Sequence, residues 1–152
     1  MLLVNIISPV SAQNAIARIN VNDVNVKRAA ALNEKAERNF RREFKEAYDA
    51  KWIEKEDGYR AKFVENQVKY MVDYNKKGDW VSTIANYNED QLDTHIAGAV
   101  KTAFLGYAIV HVTEVRKGKS IVYLVKIDNQ KFLKTVRIVN GEMDVYESYI
   151  KS

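Results

Sequence analysis

Apolar residues along this chain change their spacing several times, and one succession of spacings occurs in both halves. Over positions 26–48 the period is helical. Ala29, Leu32, Ala36, Phe40, Phe44 and Ala47/Tyr48 share a stripe, with arginine and glutamate around the rest. Asn33 within this run is a good N-cap, so the helix is expected to begin properly after it. The period then falls to two. Segments 51–54, 59–65, 68–74 and 80–84 read as strands, separated by Asp57-Gly58, Asn66-Gln67 and a turn at 75–78. Asn88 is expected to cap a second helix, with Gln91 at the capping-box position. Leu92, Ile96, Ala99/Val100 and Ala103/Phe104 supply its stripe, and Gly106 ends it. Strands are predicted again at 108–115, 120–127, 131–139 and 143–149. Asn140-Gly141 between the last two is a type I′ hairpin signal.

The halves correspond in detail. Lys45-Glu46-Ala47-Tyr48 parallels Lys101-Thr102-Ala103-Phe104, Val64-Glu65-Asn66-Gln67 parallels Ile127-Asp128-Asn129-Gln130, and Gly78-Asp79-Trp80 parallels Gly141-Glu142-Met143. A single helix-plus-meander unit leaves a bare sheet face and buries too little to stand alone. The expectation is therefore an α+β fold: two helix-plus-four-strand meander repeats forming one antiparallel sheet, with the helices on one face. Residues 33–152 form the single domain, with repeat one over about 33–87 and repeat two over about 88–152. Residues 14–32 read as a linker or helix lead-in, with a short strand near 21–26.

Residues 1–13 carry no charge; Leu2-Leu3-Val4 and Ile6-Ile7 are apolar, and Val10-Ser11-Ala12 fits a cleavage site. This segment is expected to be a truncated signal peptide, its basic region missing. Composition narrows the rest. The chain has 152 residues, 47% of them hydrophobic and 29% charged, which suits one folded domain rather than a disordered chain. It has no cysteine, which removes disulfides, thiolate zinc sites and cysteine nucleophiles. His95 and His111 are its only histidines, too few for a multi-histidine metal site. A net charge of +4 is too mild to call for nucleic acid.

Several segments carry a family likeness: Ala50-Lys51-Trp52 after a helix bearing Phe, Tyr59-x-Ala61-x-Phe63, Val72-Asp73-Tyr74-Asn75-x-x-Gly78-x-Trp80, Tyr107-x-Ile109, Tyr123-x-Val125, and Val136-Arg137-x-Val139-x-Gly141-Glu142. Together they resemble the β-lactamase-inhibitor-like, PepSY-like envelope proteins of Bacteroidetes, over about residues 33–152. The resemblance implies a secreted or periplasmic protein with two αβ repeats and no established enzyme activity. It also points to the sheet surface, the binding surface of the inhibitor that names the family. One departure is that members often place proline at the start of the second helix, where this chain has Gln91-Leu92-Asp93.

Candidate chemistry is sparse. Asp93 and His95 are two apart on a helix and face different ways, and no Gly-x-Ser-x-Gly nucleophile motif accompanies them. Glu54, Glu56 and Asp57 read as a polar turn. Glu89 and Asp90 suit a helix N-terminus and lack EF-hand spacing. Arg38, Arg41, Arg42 and Lys45 mix with glutamates as a solvated helix face does. No catalytic residue, metal ligand or cofactor site is expected. Strict alternation sends Tyr59, Ala61, Phe63, Val72, Tyr74, Trp80, Tyr123, Val125, Ile127, Val136 and Ile138 to the helix-covered face, Trp80 as a buried anchor. The opposite face receives Met71, Thr83, Val122, Leu124 and Thr135 together with Arg60, Lys62, Lys69, Lys126, Arg137 and Tyr146. These last six are the candidate partner-binding residues of a predominantly basic surface suited to an acidic exported protein or peptide. The function expected is a non-catalytic periplasmic or secreted binding module that inhibits or regulates another exported protein. The alternative is a carrier or sensor of a small apolar or cell-wall ligand held between helices and sheet.

Overall fold

The computed structural model describes residues 33–152. The expected leader, the 14–32 linker and the start of the apolar stripe at Ala29 and Leu32 lie outside the described residues. The order of elements is α1 (Glu34–Glu43), β1 (Lys51–Lys55), β2 (Gly58–Glu65), β3 (Val68–Asn75), β4 (Trp80–Tyr87), a short 3₁₀ turn (Glu89–Gln91), α2 (Thr94–Ala103), β5 (Ala108–Lys117), β6 (Ser120–Asp128), β7 (Phe132–Val139) and β8 (Glu142–Ile150). The eight strands form one antiparallel sheet in sequential order, β1 to β8. The α+β expectation therefore holds, with two α-helices against a single sheet among the described residues.

Local chemistry explains the helix ends. Asn33 caps α1, its side chain accepting from the Ala36 amide at 3.0 Å. Glu34 and Glu37 in the first turn and Arg41 and Arg42 in the last complement the helix dipole. The helix stops at Glu43, well short of position 48. The second helix starts later than expected. Asn88 caps only the 3₁₀ turn and makes no side-chain cap bond, whereas Asp93 caps α2 by accepting from the His95 and Ile96 amides. A carboxylate one residue before the helix reaches two orphan amides at once, which Asn88 is too distant to do.

Cross-strand partners share a face, so the register sorts the side chains. Trp52, Ala61, Val72 and Thr83 form one line across β1–β4, and Phe63, Tyr70, Ala85, Glu114, Tyr123 and Ile138 form another across β2–β7. Both helices pack on this side. α1 buries Ala36 and Phe40 against Trp52, Ala61, Phe63, Val72 and Tyr74. Leu92 and Val100 of α2 and its lead-in lie against Val112, Val125, Ile127, Val136 and Ile138. Tyr70 packs against both clusters.

Strict alternation fails at three places. The register shifts at Asp73/Tyr74, Ile109/His111 and Thr135/Val136, leaving Val81, Val110 and Tyr146 as extra residues. All three are exposed. The first shift corrects two expectations. Thr83 is not on the open face: the extra residue at Val81 resets the alternation, and Thr83 pairs with Val72 and is buried under the helix side. Trp80 pairs with Tyr74 and so faces the helix side as expected, but it is 40% exposed rather than buried. It stands between the territories of the two helices, and its indole N–H donates to Thr83 Oγ1 at 2.9 Å.

Candidate functional site

The face away from the helices is the first candidate. One row of cross-strand partners runs Lys51–Lys62–Met71–Ile84–Val115–Val122–Val139–Glu142, from β1 to β8. Its five central members are apolar, consecutive across β3–β7 and half-buried, with neither helix of the described residues over them. The adjoining row is Val64–Lys69–Asn86–Thr113–Leu124–Arg137–Asp144, and beyond it His111–Lys126–Thr135–Glu147. On the other side lies Ile53–Arg60–Asp73–Ser82.

The register thus puts Arg60, Lys62, Lys69, Lys126 and Arg137 on one face. Tyr146 joins them at its bulge, with the Arg137 guanidinium 5.6 Å from its ring centre. The face also carries carboxylates, two of them paired with its arginines. Arg60 donates to both oxygens of Asp73 at 2.7 Å, and Arg137 to both oxygens of Asp144 at 3.0 Å. The Arg60 hydrogen bonds, against a smaller burial cost, hold the Asp73 carboxyl below the usual range. Glu142 and Glu147 face the same way at the β8 end. The surface keeps an excess of cations but is two-signed: cationic over β1–β3 and acidic along β8. Neither pairing is visible in the sequence, because Arg60 meets Asp73 only through the β2–β3 register and Arg137 meets Asp144 only through the β7–β8 register. Among the described residues Lys62, Lys69 and Lys126 make no ion pair.

His111 sits in this field, its Nε2 3.2 Å from Asn86 Oδ1, which also accepts from Thr113 Oγ1 at 2.8 Å. Burial, then the charges of Lys126 and Lys69, push its pKa down. Thr135 lies on the same face yet is buried, its hydroxyl directed to Glu147.

The second candidate lies on the helix side, where neither helix covers the middle of the sheet. A cleft of about 790 Å³ opens there. Phe44 and Arg42 at the end of α1 form one wall, and Tyr70, Trp80 and Arg116 line the sheet side. Glu114 is buried in the central row, 7% exposed. It accepts from the Tyr87 hydroxyl at 2.6 Å and from Arg116 Nε. Burial and this carboxylate push the Tyr87 pKa up. Nothing in the local sequence signals this cluster, since Tyr87, Glu114 and Arg116 converge only through the β4–β5 pairing. The exposed His95 side chain does not line the cleft. Its backbone amide is used by the Asp93 cap, so Asp93 acts as a helix cap and not as a partner for the imidazole. Among the described residues no group of three or more His, Asp or Glu side chains is arranged to hold a metal, and no helix is long and apolar enough to cross a membrane.

The fold is shared with solved structures from Bacteroides. A BLIP-like protein of Bacteroides fragilis matches with a TM-score of 0.59 at 14% identity, covering 78% of this chain and 85% of its own. A DUF2874 family protein of Bacteroides ovatus matches with a TM-score of 0.56 at 18% identity, covering 76% and 85%. A protein of Bacteroides eggerthii that bears the provisional name of periplasmic protein matches with a TM-score of 0.56 at 15% identity, covering 77% and 87%. No protein-family model matches the sequence, and no curated protein does. At these identities the likeness establishes the fold and nothing finer.

Proposed function

We propose that this chain is a non-catalytic binding module of the cell envelope that holds another exported protein on its open sheet face, as an inhibitor or regulator of that protein. The observation that carries the reading is the apolar row Met71–Ile84–Val115–Val122–Val139, five strands wide and, among the described residues, uncovered by either helix. An apolar centre with a charged rim is the anatomy of a protein interface. The rim sets the partner's chemistry: carboxylates opposite Lys62, Lys69 and Lys126, and basic groups opposite Glu142 and Glu147. Export is supported by the uncharged apolar residues 1–13 and by the provisional periplasmic name of one structure of the same fold. Membership of the β-lactamase-inhibitor-like, PepSY-like envelope proteins belongs to the same proposal. So does descent of the two halves from one duplicated unit, supported by the equivalent placing of the turns at Asn66-Gln67 and Asn129-Gln130.

The test uses the chain as bait in a periplasmic extract. Val115→Glu, in the middle of the row, is expected to abolish capture of the partner that the parent chain holds. Lys62→Glu with Lys69→Glu is expected to weaken that capture and flatten its salt dependence. Retention of the partner by both variants, with unchanged melting, refutes the reading. Sedimentation of the bait alone as a dimer that Val115→Glu dissociates also refutes it, because the face is then occupied by a second copy. The field itself has an internal reporter. Lys126→Glu should raise the His111 pKa in an NMR titration, since the cation it removes is one cause of the depression.

A further inference from the structure

The cleft on the helix side is a separate site from the open face, and it has the construction of a small-ligand site. Its volume, about 790 Å³, lies within the roughly 300–1,000 Å³ typical of such sites. Its walls are aromatic: Phe44 at the end of α1 and Tyr70, Tyr74 and Trp80 on β3 and β4. Trp80 is the most telling of these. A tryptophan left 40% exposed, with its N–H already satisfied by Thr83, offers a flat apolar surface and needs no water.

The polar end is equally specific. Glu114 and Arg116 are two apart on β5 and so share a face. Burying a carboxylate in the middle of a sheet is costly, and its ion pair recovers that cost only in part. What the arrangement does accomplish is orientation. The Tyr87 hydroxyl fixes Glu114, and Glu114 in turn takes the Arg116 Nε–H. The guanidinium is thereby held in one orientation, while its terminal nitrogens make no hydrogen bond among the described residues and its side chain remains half exposed in the cleft. A preset guanidinium with unused paired N–H donors suits a planar or tetrahedral oxyanion. The lining as a whole bears three cations, Arg42, Arg116 and Lys119, and three carboxylates, Glu43, Asp79 and Glu114. That balance favours a single anionic group over a polyanion.

We propose that this cleft binds a small amphiphile: a flat apolar body lying on Trp80 and Tyr70, with one oxyanion head (carboxylate, sulfonate or phosphate) held by Arg116. The reading is independent of the open face, and either can fail alone.

Two dyes test it on the full chain. Anilinonaphthalene sulfonate carries such a body and head; N-phenyl-1-naphthylamine has a similar body without the charge. The sulfonate is expected to saturate at one per chain, with energy transfer from tryptophan and an undisturbed cooperative melt. Arg116→Gln should weaken the sulfonate at least tenfold and leave the neutral dye within about twofold, whereas Trp80→Ala should weaken both. If Arg116→Gln does not fold, Arg116→Lys, which keeps the charge but loses the fork, is expected to weaken the sulfonate alone. Competition by 1-naphthoate and 1-naphthyl phosphate separates carboxylate from phosphate heads. The proposal is overturned if the sulfonate does not saturate, if 1-naphthol competes as well as both acids, or if neither Arg116 variant separates the two dyes.

Discussion

Phe40 of α1 sits edge-on to Trp52 and Phe63, with ring centres 5.3 and 5.1 Å away, and Phe44 adds a third contact to Phe63 at 4.8 Å. The corresponding place under α2 is occupied by Val100, Val112, Val125, Ile127 and Val136, with Tyr87 its one buried ring and Tyr70, Phe104, Tyr107 and Tyr123 at its margin. One architecture thus holds an aromatic core in its first half and a mainly aliphatic one in its second. The helices are fastened differently as well. The N-terminus of α1 rests on the β3–β4 turn. Asn33 donates to the Lys76 carbonyl at 2.8 Å, and Asn39 to the Gly78 carbonyl at 2.9 Å. In the second half α2 is capped at its start by Asp93, Lys101 in its last turn pairs with Glu89 of the 3₁₀ turn, and the β7–β8 turn is open. The lesson is that this fold requires an apolar layer on one face but does not dictate its chemistry. Rings replace branched aliphatics where a hairpin anchors the helix.

The largest expected effect separates the two cores. Phe40→Ala removes a fully buried ring that joins helix to sheet and should cost about 3–5 kcal/mol. Val125→Ala, equally buried, removes two methyl groups and should cost about 2 kcal/mol. Urea unfolding measures both. Because Tyr70 packs against both clusters, each variant should still unfold in one transition; two transitions would show that the halves unfold separately.

The next effect separates the fastenings. Gly78 in the β3–β4 turn and Gly141 in the β7–β8 turn have φ +80° and +81°. A β-carbon at Gly78 would lie 2.2 Å from Asn33 Oδ1 and 2.7 Å from the Ala36 amide, whereas one at Gly141 meets nothing within 4 Å. Gly141→Ala therefore incurs only the left-handed backbone cost, about 1–2 kcal/mol. Gly78→Ala adds expulsion of the α1 cap and should exceed it by a further ~1–2 kcal/mol, the size of a lost cap. Equal losses at the two turns would show that α1 is not seated on its hairpin.

Most of this architecture was legible because period-two segments and turn residues are local signals. All eight strands lie within a few residues of their expected bounds, and Asn66, Gln67 and Asn140 take the positive φ that tight hairpin turns demand. What escaped is non-local. The extra residue at Val81 has no sequence signature, yet it moves Thr83 to the other face and leaves Trp80 at the lip of a cleft. Trp80→Ala should accordingly cost less than about 1.5 kcal/mol, well below a core tryptophan, in the same urea experiment. The Tyr87–Glu114–Arg116 relay was invisible for a related reason, since residues 27 apart meet only once β4 and β5 are paired. The basic side of the open face was readable from alternation, but its neutralisation by Asp73 and Asp144 required the register.

Those two ion pairs are the finest contrast between the halves. Both are two-pronged and both lie on the open face, but the Asp73 side chain is 14% exposed and that of Asp144 is 51% exposed. A double-mutant cycle on Arg60 and Asp73 should return about 0.5–1 kcal/mol, the value for a partly screened pair, and the cycle on Arg137 and Asp144 should return no coupling beyond its error. The pH dependence has a definite sign. Arg60, with help from Lys55, lowers the Asp73 pKa in the folded chain, so the folded state binds fewer protons than the unfolded state near that range. The contribution is complete above the ordinary carboxylate value of about 3.9 and is lost as pH falls through the depressed folded value. Arg60→Met should therefore reduce stability at neutral pH and shrink its decline below pH ~4, while Arg137→Met leaves both nearly unchanged. If the two variants behave alike, burial does not distinguish the pairs, and the cationic end of the open face is no better fixed than its acidic end.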